Sequence, residues 1–121
     1  KVLTVKNDLL STIYNVNNTH NENDPIFVDE INYNIKIEDY LFTSLSTTYM
    51  QATKTYTMCG NIYSEEPKEE QFSIKLYDNN DVLVVENEYY YNNDTEKYKS
   101  FCVDFILDIN NIKYYMISIS N

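Results

Sequence analysis

The residues of this 121-residue chain with the clearest capacity for covalent chemistry are its two cysteines, Cys59 and Cys102. They form an even pair, 43 positions apart. A nucleophilic cysteine needs a thiolate stabilised by a neighbouring base or cation, and neither has an adjacent basic residue. A disulfide is the better use of them, and closing so long a loop stabilises a fold by about 4 kcal/mol on the chain-entropy model. His20 is the single histidine, set in the polar run from Asn17 to Asp24. Triads and zinc sites need further ordered partners, so it is assigned no role.

Carboxylates are abundant, among them Asp104 and Asp108 on one strand parity and the Glu65-Glu66 and Glu69-Glu70 pairs. A glycosidase needs two carboxyls facing each other across a cleft, and spacing alone brings none of these together. The run Asp78-Asn79-Asn80-Asp81 is rich in oxygen ligands for calcium, but Val82 stands where a calcium loop wants a ligand and no glycine follows. It reads as a hairpin turn. No metal and no cofactor is expected.

Aromatic residues offer more. Thirteen tyrosines are present, and Tyr89-Tyr90-Tyr91 puts rings on both faces of one strand, leaving at least one outside the core. Exposed tyrosine gives a large contact area at small entropic cost, so these three are the candidate binding residues. In the bland alternative, Tyr90 packs inside while Tyr89 and Tyr91 are ordinary strand formers.

The elements that must position these groups are strands. Phe72, Ile74 and Leu76 share one face, as do Phe101, Val103, Phe105 and Leu107, and then Tyr115, Ile117 and Ile119. This period of two marks half-buried strands. Val82–Val85 follows the 78–81 turn, and Asn110-Asn111 separates the last two strands. Asparagine pairs are read as doing what glycine does in tight hairpins, since Gly60 is the only glycine. Towards the amino terminus, strands are expected at 2–5, 11–16, 26–29, 33–37, 40–50 and 53–63, with a loop from Asn21 to Pro25. A short helix capped at Asp24-Pro25 and running to Asn32 is the lesser alternative. Ser64 to Glu70 reads as an exposed charged connection. About ten short strands imply one all-β domain over 1–121, a two-sheet, mostly antiparallel β-sandwich of immunoglobulin-like or related type with room for a few parallel pairings. By parity, Cys59 falls with the threonines of its strand and Cys102 with Asp104. Any bridge between them belongs on an outer face or under a covering loop.

Charge narrows the partners. Nine basic residues against 19 acidic ones give a net charge of −10, which disfavours nucleic acid and anionic lipid surfaces. No apolar run approaches the roughly 20 residues of a membrane-spanning helix, so no direct membrane insertion is expected. All nine basic residues are lysine, and the scarcity of arginine and glycine leaves no phosphate clamp or cradle. The cysteine pair and the sequons at Asn17 and Asn93, candidate glycosylation sites, favour a secreted or cell-surface domain. Beginning at Lys1 with no leader-like segment, the chain reads as a mature protein or as a module of a longer ectodomain.

The stretch Tyr98-Lys99-Ser100-Phe101-Cys102-Val103, continued by Lys113-Tyr114-Tyr115-Met116-Ile117-Ser118-Ile119, resembles the end of domains in the six-cysteine surface-protein family of malaria parasites. Usage rich in Asn, Tyr, Ile and Lys fits AT-rich coding. The family's usual second cysteine is replaced here by Asp104 after Val103. The hairpin from Phe72 to Tyr91 resembles the immunoglobulin-like third domain of the eukaryotic gamete fusogen. Either resemblance implies a non-catalytic extracellular module for gamete recognition, fusion or host-immune evasion. Its partner would be a protein receptor or antibody, and a Cys59–Cys102 bridge would be the family's remnant disulfide. A secreted viral cytokine-binding sandwich is an alternative from another source, and a carbohydrate-active enzyme is the alternative from another class.

Overall fold

The computed structural model describes residues 4–8, 26–30, 34–66, 68–93, 97–107 and 112–120, with 4–8, 26–30 and 93 as backbone alone. The elements are β1 (Thr4–Asp8), β2 (Ile26–Glu30), β3 (Ile35–Ile37), β4 (Tyr40–Met50), β5 (Thr55–Tyr63), β6 (Lys68–Tyr77), β7 (Leu83–Asn93), β8 (Tyr98–Ile106) and β9 (Tyr114–Ile119). One sheet has the order β1-β9-β6-β7, and the other β2-β4-β5-β8 with β3 also on β4. Every ladder is antiparallel. The chain is an all-β sandwich.

Alternation builds the core. Phe42, Tyr56, Met58, Ile62, Val103 and Phe105 from one sheet meet Phe72, Ile74, Leu76, Tyr115, Ile117 and Ile119 from the other, all buried. The rings meet edge to face: Phe42 and Phe72 have centroids 5.1 Å apart at 83°, and Tyr40 and Phe72 stand 5.1 Å apart at 86°. That geometry sets the positive rim of one ring against the negative face of the next. At the rim, Tyr40 donates to Glu70 at 3.1 Å, Lys68 lies over the Tyr40 ring, and Lys68 pairs with Asp39. These contacts clasp the start of β4 to the start of β6.

Several local expectations need correction. Lys68–Glu70 belongs to β6 and Ser64 is buried, because the rim contacts of Lys68 and Glu70 and a bond from Ser64 N to the Lys97 carbonyl draw the charged segment onto the sandwich. Strand β2 crosses the stretch where a helix was the lesser alternative, because pairing with β4 satisfies its backbone. Residues 53 and 54 lie in the β4–β5 turn rather than in a strand. Left-handed backbone occurs at Glu38, Ser44, Lys54 and Asp81, so in the 78–81 turn an aspartate takes the role assigned to asparagine. Asp78 Oδ1 accepts from the backbone N–H groups of Asn80 and Val82 and so fixes that turn. The expected strand at 11–16, the loop at 21–25, Asn110 and Asn111 lie outside the described residues.

Candidate functional site

Strand β7 ends one sheet and β8 ends the other, on the same side of the sandwich. They run antiparallel to each other without forming a ladder, and side chains close the seam. Asn87 Nδ2 donates to the Asp104 carbonyl at 2.9 Å, Tyr89 packs on Phe101 with centroids 5.2 Å apart, and Lys99 Nζ donates to the Asn92 carbonyl at 2.7 Å. Side chains that occupy main-chain acceptors in this way protect strand edges from foreign pairing.

The three candidate tyrosines separate along this strand. Tyr91 is fully buried, among Tyr40 and Phe72, so it is a core residue and not a contact residue. Tyr89 is half-buried in the seam, where burial raises the pKa of its hydroxyl. Tyr90 is 53% exposed on the outer face of its sheet, opposite to the bland alternative that packed it inside. Its hydroxyl is raised by lost hydration and then by a bond to Glu69. Tyrosine stands on both faces of the strand, as alternation predicts, and the parity that assigns each ring comes from the register with β6, in which Tyr91 stands opposite Glu70 and Tyr89 opposite Phe72.

Asn87 makes the last of these seam contacts in this direction among the described residues, and exposed aliphatic residues occur on both strands past it. Val82, Leu83, Val84 and Ile106 are between 41% and 68% exposed. The contacts 87 to 104, 89 to 101 and 92 to 99 set the antiparallel alignment, and extending it puts Val84 and Val85 alongside Ile106. A bulge between Leu76 and Tyr77 leaves Val84 without an opposite residue on β6. These four residues were missed as candidates. For Ile106 the signal was available, since alternation from Phe105 puts it on the face of Asp104.

The outer face of the other sheet is unlike the rest of the molecule. Across β8, β5 and β4 its rows are Tyr98, Tyr63 and Leu41; Ser100, Asn61 and Thr43; Cys102, Cys59 and Ser46; Asp104, Thr57 and Thr48; Ile106, Thr55 and Met50. In a chain bearing 28 charged residues, these five rows carry one, Asp104, with Lys36 of β3 beside them opposite Leu41. Ser100 donates to Asn61 at 2.8 Å, Thr57 donates to Asp104 at 2.7 Å, and Tyr63 and Tyr98 lie 4.7 Å apart. At its centre is the Cys59–Cys102 disulfide, on the outward face that parity assigned to it. The bridge fits an oxidising environment.

The carboxylates have separate employments. Asp104 accepts from Thr57, Glu70 from Tyr40, and Glu65 from Tyr63 with Lys97 nearby. The Tyr63 hydroxyl, then Lys97, holds the Glu65 carboxyl below its ordinary value. Among the described residues no group of three or more His, Cys, Asp or Glu is gathered that could hold a metal ion. His20, Asp108 and Asn17 lie outside the described residues, as does the side chain of Asn93, whose backbone closes β7 opposite Lys68.

No family model, curated protein or solved structure matches this chain. No helix among the described residues is long and apolar enough to cross a membrane.

Proposed function

We propose that this chain is a non-catalytic recognition domain of a secreted or cell-surface protein, working by protein–protein contact through the open end of the β7–β8 seam. The observation that carries the reading is the exposure of the consecutive Val82, Leu83 and Val84 at the start of β7 and of Ile106 at the end of β8, the strands that end the two sheets. Contiguous exposed aliphatic groups are costly in water and mark contact surfaces. Tyr90 and Tyr98, both more than half exposed, add aromatic anchors on the two outer faces. A net charge of −10 steers the domain towards basic partners.

The biological setting follows from the resemblances of the sequence: a parasite surface module for gamete recognition or fusion or for immune evasion, or a viral cytokine-binding sandwich. The separately engaged carboxylates favour binding over the carbohydrate-active alternative.

The test is binding of the folded domain to receptor-bearing cells or candidate receptor ectodomains, comparing the parent with Val84→Lys and Ile106→Lys. Both variants are expected to fold normally and to lose at least tenfold in affinity, about 1.4 kcal/mol or more. Parent-like binding by both would sink the assignment.

A further inference from the structure

We propose that the Cys59–Cys102 bridge is a thiol-exchange site, open to attack by an external thiolate while the domain stays folded, with Cys102 as the sulfur attacked. Four observations converge on this. The two cysteines are directly opposed in the middle of the β5–β8 ladder, which extends from Thr55 opposite Ile106 to Tyr63 opposite Tyr98. Their Cα atoms are 4.1 Å apart, the spacing of a narrow antiparallel pair, so the bridge joins residues that the ladder already holds together. The sulfurs occupy the solvent side, whereas the core contacts of these strands come from Tyr56, Met58, Val103 and Phe105 on the opposite side. Cys102 is exposed and Cys59 only half so.

The direction of attack follows from topology. Exchange proceeds in line with the S–S bond, which links β5 to β8. An attacker in line behind the Cys59 sulfur must come in over β4, where Ser46 is the register neighbour. Behind the Cys102 sulfur no further strand of its own sheet is paired, the approach crosses only the side-chain seam with β7, and Cys102 is the more exposed of the two cysteines. An incoming thiolate R–S⁻ therefore forms a bond to the Cys102 sulfur while the S–S bond breaks, and Cys59 leaves as the thiolate. A second thiol then releases Cys102 as thiolate and carries R away as a disulfide, leaving two reduced cysteines and one oxidised external pair. The external agent is a small thiol, or a dithiol on a partner protein. In the mixed-disulfide stage the domain is covalently captured by its partner. The two separated thiols then need room only on the solvent face, and the ladder keeps β5 and β8 together.

The folded protein tests this directly. It is treated with dithiothreitol in the absence of denaturant, quenched with N-ethylmaleimide at intervals, and followed by intact mass and near-ultraviolet circular dichroism. The expected result is double alkylation with the folded spectrum retained, at a rate unchanged by small additions of urea. Reduction that tracks global unfolding, accelerating with urea and losing the spectrum, would overturn the proposal. With reduced glutathione followed by acid quenching and peptide mapping, the captured glutathione is expected on Cys102. Glutathione distributed equally, or mainly on Cys59, would refute the direction of attack.

Discussion

The side-chain amide of Asn87 on β7 donates to the main-chain carbonyl of Asp104 on β8 at 2.9 Å, tying the last strand of one sheet to the last strand of the other. The Asn87 side-chain Oδ1 in turn accepts from the backbone N–H of Glu88 at 2.8 Å, which holds the amide in place. Replacing it by aspartate keeps the acceptor and removes the donor, setting a carboxylate against a carbonyl. Asn87→Asp is expected to cost about 1 kcal/mol of stability and to speed hydrogen exchange locally at Asp104 and Phe105. Urea denaturation and amide exchange measure the two effects.

The exchange of roles among the tyrosines gives a sharp contrast. Tyr91→Ala empties a fully buried ring site and is expected to destabilise the domain by about 3–5 kcal/mol. Tyr90→Ala is expected to change stability by no more than about 0.5 kcal/mol, so any lost binding there reports contact alone. Paired melting curves of the two variants decide the assignment.

Gly60 faces the bulge in β4 between Thr43 and Ser46. A Cβ there would lie 2.7 Å from Leu45 Cδ2 and 3.1 Å from the Thr43 carbonyl oxygen. The Leu45 side chain is itself buried and cannot withdraw freely. Gly60→Ala is expected to destabilise by about 1–3 kcal/mol through overpacking, read as a lower denaturation midpoint.

Glu38 takes the left-handed conformation, with φ 54°, in the two-residue turn between Ile37 and Tyr40. Glycine adopts that backbone without a Cβ clash. Glu38→Gly is expected to stabilise the domain by up to about 1 kcal/mol, despite the greater freedom it gives the unfolded chain. A raised thermal midpoint is the readout.

Alkaline pH should weaken the fold. The Tyr114 hydroxyl is pushed up to about 12, first by lost hydration and then by donation to Asp81. Tyr40 is raised by burial and then by its bond to Glu70. Unfolded tyrosines release their protons near pH 10, whereas these hold theirs in the folded state. Above that pH the unfolded chain binds fewer protons than the native one, so the stability contribution is complete below about pH 10 and falls as pH rises towards 12. Urea midpoints should decline over this range, less steeply in Tyr114→Phe. A flat profile would contradict the assignment.

Alternation by itself determined the all-β class, the inward sets around Phe72, Phe101 and Ile117, and the outward parity of Cys59 and Cys102. Side chains on successive strand residues point to opposite faces, so local order carries that information. Tertiary structure alone decided that Tyr91 is core and Tyr90 surface, that β7 and β8 close against each other as far as Asn87, and that Val82, Leu83, Val84 and Ile106 remain uncovered beyond it. Those outcomes depend on register, on a bulge opposite Tyr77, and on which strands end their sheets. Such relations join residues far apart in the chain, and no local pattern of residue types encodes which strand another will meet.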